Sequence, residues 1–166
     1  MGTGRQLCLR RCLNKLYLYI LQHGEAVSKE IQPERPLSEQ GIRDIRILAQ
    51  HMQNMGVQLG NIFHSGKLRA QQSAALIAEN LSPGINPVQT EGLNPNDDPT
   101  VIIEDIEQLD ANILLASHMP FVSRLCSTLL TGTTDAEFAS TPGTLFCLEK
   151  TDNRWRLAYM LRPDFL

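Results

Sequence analysis

Residues 16–22, Leu-Tyr-Leu-Tyr-Ile-Leu-Gln, form an almost unbroken apolar run that stops at His23-Gly24-Glu25. Seven residues is a strand length, and the lack of polar alternation suits a strand buried on both faces of a parallel sheet. Such a strand must be covered by helices on both sides, so the rest of the chain has to supply them. In sheets of this kind ligands bind beyond the carboxyl ends of the strands. Gln22 and His23 fall at that position.

The remaining pattern alternates as required. Ser38 is placed to cap a helix, with Glu39 in its first turn, and Ile42, Ile45, Leu48, Met52 and Met55 recur at helical spacing before a stop at Gly56. "NIFHSG" reads as a short strand and turn. "KLRAQQSAALIAENL" reads as a second helix, with Ala74, Ile77, Ala78 and Leu81 on one face and Pro83-Gly84 ending it. "INPVQTEGLNPNDDP" is a short strand entering a polar loop, and "TVIIEDIEQLD" is a third helix. "ANILLASHMP" is another apolar strand running into a histidine, and "FVSRLCSTLLTG" is a fourth helix ended by Gly132. "GTLFCLEK" and "RWRLAYMLR", joined by "TDN", suit a hairpin. The fold class is therefore α/β: a sandwich around a mainly parallel sheet, with a C-terminal hairpin at one edge.

At 166 residues, with 42% hydrophobic and 20% charged residues, the chain reads as one ordinary globular domain spanning 16–166. A formal net charge of −3 gives no reason to expect a nucleic-acid partner. No apolar run approaches the roughly 18 residues of a membrane span, so no membrane partner is expected. The four cysteines, Cys8, Cys12, Cys126 and Cys147, lack the spacing of zinc ligands. Reduced thiols and a cytoplasmic location are the simplest expectation, with no metal. "MGTGRQLCLRRCLNK" carries four basic residues and no acid. It lacks a secretory apolar core, and Gln6 breaks the myristoylation pattern. Residues 1–15 are read as a dispensable, poorly ordered extension.

Three strand ends carry chemistry-bearing residues: Gln22-His23-Gly24, Ser65 with Arg69 one helical turn on, and His118. Two histidines and an arginine opening on one sheet edge would make a pocket for an anion, and phosphate is the obvious candidate. Helix N-termini at the same edge would strengthen it. Taken singly, each has a bland explanation: a histidine after a strand is more often a turn residue, and Arg69 alone is a solvated helix arginine. His51 and His64 are read as structural or surface residues. "GNIFHSGKL" is not a P-loop, because the glycine spacing is one residue too long and Leu68 stands where Ser or Thr is required.

Five ordered blocks change those odds: "LQHGEA", "ERPLSEQG", "HSGKLRAQQSA", "GLNPNDDP" and "ASHMPFVSRL". Together they resemble the histidine phosphatase superfamily, and within it the small SixA-type phosphohistidine phosphatases, from about Leu16 to the C-terminus. The resemblance implies a phosphoglycerate mutase-like, three-layer α/β/α fold and phosphoryl transfer without metal or cofactor. It makes His23 the nucleophile that forms a phosphohistidine intermediate, with Arg69 and His118 holding the phosphoryl oxygens. Ser65 would shape the pocket wall, Arg35 would contact phosphate or substrate, and Gly24 would let the backbone approach closely. A histidine nucleophile must present a neutral nitrogen, and its other nitrogen needs a fixed acceptor. The implied substrate is a phosphohistidine on a signalling protein, with a small phosphorylated metabolite as the alternative.

The sequence departs from the family pattern in three places. Gln22 replaces the usual arginine, keeping an N–H donor but losing the charge and the bidentate fork. The deficit is about 1–2 kcal/mol, or about ten- to thirtyfold in rate, so a slowed enzyme is expected rather than a dead one. The same residue motivates a different class of function, an inactive phosphate-binding regulatory module. Ser117 stands where many relatives have glycine; its small side chain is either tolerated there or crowds the pocket. Serine in "QSA" at Gln72-Ser73-Ala74 is a mild change from "QTA". A proton donor would come from Glu91, Asp97 or Asp98, with nothing in the sequence to choose among them.

Overall fold

The computed structural model describes residues 15–166; the basic extension read at the N-terminus lies, apart from Lys15, outside the described residues. Six strands make one mixed sheet in the order β3-β2-β4-β1-β5-β6. In chain order these are β1 (Leu16–Gln22), β2 (Asn61–His64), β3 (Val88–Gln89), β4 (Ile113–Ser117), β5 (Leu145–Thr151) and β6 (Arg154–Leu161). β1 through β4 run parallel, and β5 and β6 are antiparallel additions beside β1. Four helices connect them: α1 (Glu39–Asn54), α2 (Leu68–Leu81), α3 (Pro99–Ile106) and α4 (Phe121–Thr131).

The apolar run of β1 explains the layering. Tyr19 and Leu21 point into a core shared with Ile45, Leu48 and Met52 of α1 and Ala74 and Ile77 of α2. Leu18 and Ile20, on the opposite face, meet Ile102 and Ile106 of α3 and Phe121, Val122 and Leu125 of α4. β4 divides the same way, Leu114 and Ala116 to one side, Ile113 and Leu115 to the other. A strand with two apolar faces can only be satisfied between two helical layers. This is the three-layer α/β/α arrangement expected from the sequence.

Local signals account for most boundaries. Ser38 caps α1, its hydroxyl accepting from the Gly41 N–H at 3.0 Å. Gly132 ends α4 in the left-handed conformation. Asp152 and Asn153 both have φ near +55°, the two-residue turn that matches hairpin twist.

Three expectations need adjustment. α3 is shorter than "TVIIEDIEQLD": it starts at Pro99 and closes at Ile106, and three-residue bonds at Gln108 and Leu109 tighten the exit. β3 shrinks to Val88–Gln89, because the segment is exposed, lies on the sheet edge and follows Pro87. Met55, assigned to the apolar stripe of α1, is 47% exposed at the helix exit, while Gly41 and Ala49 are buried instead. Cys126 and Cys147 are buried free thiols, and Cys8 and Cys12 lie outside the described residues. Among the described residues no helix is long and apolar enough to cross a membrane.

Candidate active site

Because β1, β2 and β4 are parallel neighbours, their carboxyl ends share one edge. Gln22 pairs in register with Ser117, and His64 with Ala116. His23, Ser65 and His118 are each the first residue beyond a strand. The three-segment convergence expected from the sequence is therefore built by sheet register.

His23 is fixed from both sides. Its backbone N–H donates to the Ser117 carbonyl at 3.0 Å. Its Nδ1–H donates to the Gly24 carbonyl at 2.7 Å, which leaves the Nε2 lone pair outward. Arg69 Nε donates to that Nε2 at 3.1 Å. Burial is the main reason the His23 pKa is lowered to about 4; the Gly24 carbonyl pulls the other way, and the charges of Arg69 and Arg35 add to the lowering. His23 is thus a neutral imidazole of defined tautomer at neutral pH.

Gly24 permits close approach, but of helix α1 rather than of the ring. A Cβ there would sit 2.9 Å from Ile45 Cγ1 and 3.0 Å from the Gly41 carbonyl oxygen. The facing Gly41 is more constrained still, since its Cβ would lie 2.1 Å from the Glu25 carbonyl oxygen. Two glycines therefore bring the loop after β1 onto the first turn of α1.

His118 is 2% exposed and stands against His23, ring centroids 4.9 Å apart and planes tilted by 57°. Its Nε2 and Ser65 Oγ are hydrogen-bonded at 2.6 Å, and its buried Nδ1 has no protein partner among the described residues. Burial foremost, then the neighbouring His23, Arg69, Lys67 and Arg35, lowers its pKa to about 3. Arg35 is half-buried in a left-handed backbone conformation (φ 52°), with Nε donating to the Val27 carbonyl at 3.3 Å. Its charge acts on His23, His118 and Arg69, so it belongs to the same cluster.

Gln22 is 8% exposed, and Ser140 donates a hydrogen bond to its Oε1. Ser117 does not crowd the pocket: its hydroxyl donates to the Leu93 carbonyl at 2.6 Å and anchors the loop leading to α3. Of the two outcomes left open, the small side chain is tolerated, for it takes the buried Leu93 acceptor. Two of the three carboxylates considered as proton donors are committed to local structure. Asp97 accepts from the Asn94 N–H at 2.8 Å. Asp98 caps α3 through the Thr100 N–H, which is the main reason its pKa is lowered. Glu91 is exposed. His64 is structural, its Nδ1 accepting from the Gly66 N–H, and His51 lies in the last turn of α1.

Three further residues join the cluster: Lys67 and Ser140, not singled out in the sequence, and Ser73, noted there only as a mild change. Lys67, the N-cap residue of α2, lies between Ser65 and Arg69 and near enough to act on His118. Ser73 accepts from the Gly24 N–H at 3.0 Å and donates to the Arg69 carbonyl at 2.7 Å, tying α2 to the residue that orients His23. Ser140 reaches Gln22 from 118 residues away in the chain. Lys67 and Ser73 lie inside the quoted "HSGKLRAQQSA" block and could have been found there; Ser140 had no sequence signal. Among the described residues no three or more His, Cys, Asp or Glu side chains gather as metal ligands would.

Comparison with known proteins points the same way. Residues 18–95 match the model of the histidine phosphatase superfamily (branch 1), a span that holds Gln22, His23, Arg35, Ser65 and Arg69. The chain is 23% identical over 151 residues to the phosphohistidine phosphatase SixA of Escherichia coli, covering 86% of this chain and 94% of that one. It is 28% identical over 124 residues to an uncharacterized protein of Picosynechococcus, covering 70% and 74%. The structure of the protein histidine phosphatase SixA complexed with tungstate superposes with a TM-score of 0.81 at 21% identity, covering 90% of this chain and 99% of that one. The family match over residues 18–95, the shared fold and the order of the blocks agree: the chain is similar to the histidine phosphatase superfamily and has the fold of its SixA-type members.

Proposed function

We propose that this protein is a metal-independent phosphatase that uses His23 Nε2 as nucleophile and hydrolyses phosphohistidine on a protein. The observation that carries the reading is the pair of bonds at one ring: Nδ1–H donates to Gly24, and Nε2 faces Arg69. The first fixes the tautomer, and the second marks where an anion would sit.

In the first step the Nε2 lone pair attacks phosphorus, and the bond to the leaving group breaks in line. Arg69 moves its N–H from Nε2 to a phosphoryl oxygen as charge builds there. His118, bonded through Nε2 to Ser65 in the free protein, exchanges that partner for a second phosphoryl oxygen and donates from Nε2–H. Arg35 adds positive charge, and the amide of Gln22 adds a neutral donor. Water then attacks the phosphohistidine, releasing phosphate and restoring the neutral ring.

The substrate class follows from the acids. Asp97 and Asp98 hold backbone N–H groups, which leaves the exposed Glu91 as the one acid of the three not committed to local structure. An imidazole leaving group tolerates that better than an alkoxide does. Turnover of a phosphohistidine protein should exceed that of a panel of phosphorylated metabolites. The reverse ranking, with His23 still required, would make the protein a metabolite phosphatase. Gln22 favours a second reading, a phosphate-binding module without turnover. Equal background rates for wild type and His23→Ala on both substrate classes, with phosphate still bound, would establish it.

A further inference from the structure

Gln22 differs from an arginine in a way that makes its orientation matter. A guanidinium donates from every edge, whereas a carboxamide donates at one end and accepts at the other. An amide oxygen turned toward phosphoryl oxygens would repel them. Something must hold the NH2 end inward.

The backbone of Gln22 is already fixed, its N–H donating to the Thr144 carbonyl at 2.9 Å and its carbonyl accepting from the Gly143 N–H at 3.1 Å. Only the side-chain torsions are free to choose. Ser140 donates to Oε1, and among the described residues Gln22 Nε2 makes no hydrogen bond. Ser140 itself precedes a stiff turn. The Thr144 N–H donates to the Thr141 carbonyl at 3.0 Å, and the Thr141 N–H donates to Thr144 Oγ1 at 3.0 Å. Gly143, at φ 84°, also donates to the His23 carbonyl at 3.0 Å, and a Cβ on it would lie 2.8 Å from Pro163 Cγ. The turn carrying Ser140 is thus bonded to the backbone of both Gln22 and His23.

We infer that Ser140 is a positioning residue: it occupies the acceptor end of the Gln22 amide and so presents the donor end to the phosphoryl group, adapting the pocket to a neutral residue. The inference rests on the phosphate-binding role of the site given above. It implies that Ser140 and Gln22 are coupled, and that an arginine at position 22 would make Ser140 dispensable.

The test is a double-mutant cycle on the full chain, read by kcat/KM on a phosphohistidine protein and by the affinity for inorganic phosphate in an NMR titration. Ser140→Ala should lower both by about tenfold, the scale of one donor to a charged group, and Ser140→Thr should restore most of the loss. In the Gln22→Arg background the effect of Ser140→Ala should shrink to below about twofold. Equal losses in both backgrounds would make Ser140 a merely structural residue and overturn the inference, as would no loss in either readout. If Ser140→Ala does not fold, Ser140→Cys keeps the shape, weakens the donor and serves in its place. If wild type turns over no substrate, the phosphatase reading fails on its own. Phosphate affinity then decides: weakened by Ser140→Ala and restored by Ser140→Thr supports the inference, and unchanged overturns it.

Discussion

In the free protein Arg69 occupies the His23 lone pair, so binding an anion means exchanging one hydrogen bond for another rather than creating one. On the proposed mechanism that exchange would bring a cation to the phosphoryl group. Removing it should be severe: Arg69→Ala is expected to lower kcat by about 10²–10³, the range for loss of one transition-state donor in a dry site. Steady-state kinetics on a phosphohistidine protein checks this. Gln22→Arg should act in the opposite direction and raise the rate about tenfold, checked in the same assay. Lys67, the N-cap residue of α2, reaches His118 through its charge, so Lys67→Met should cost about three- to tenfold, mainly in KM. Residue scale is also where sequence reading was least complete. His23, Arg69 and His118 sit in ordered blocks and could be picked out by position relative to strand ends. Ser140 could not, because its role exists only through a contact across 118 residues, and a serine in "FASTPG" looks like any loop serine.

At the scale of elements, the site depends on two helices seated against the strand ends. Gly24 and Gly41 let the β1 loop lie on α1, while Ser73 bolts α2 to the Gly24 peptide. A Gly41→Ala methyl would meet backbone atoms of Glu25, which have nowhere to move, and should destabilise the fold by about 1–3 kcal/mol. The midpoint of urea unfolding measures this. Elements were legible where periodicity, caps and turn residues agreed, as at Ser38, Gly132 and Asp152-Asn153. They were misjudged where tertiary position decided the outcome. β3 has a strand-like sequence but only one neighbour, β2, and α3 stops once Ile102 and Ile106 are buried, although the sequence beyond remains helix-compatible.

For the whole molecule, two histidines held neutral by burial link the site to global stability. Both pKa values lie below the ordinary 6.5, near 4 for His23 and near 3 for His118. The unfolded chain therefore takes up protons first as pH falls. Stability should be unaffected by these groups above about pH 6.5 and decline below it, by up to about 1.4 kcal/mol per pH unit for each histidine, until the folded pKa values are reached. Urea unfolding between pH 7 and pH 4 would show this slope, and His118→Gln should flatten it. Activity should follow the folded values instead, so the acid limb of kcat/KM attributable to His23 should fall near pH 4 rather than near 6.5.

The central claim is that sheet register brings one activated imidazole against a phosphoryl pocket. The most direct measurement is to quench the enzyme during turnover of a labelled phosphohistidine protein and map the label. Acid-labile phosphate on His23, lost in His23→Ala together with activity, is the expected result. Label on another residue, or full turnover by His23→Ala, would contradict it.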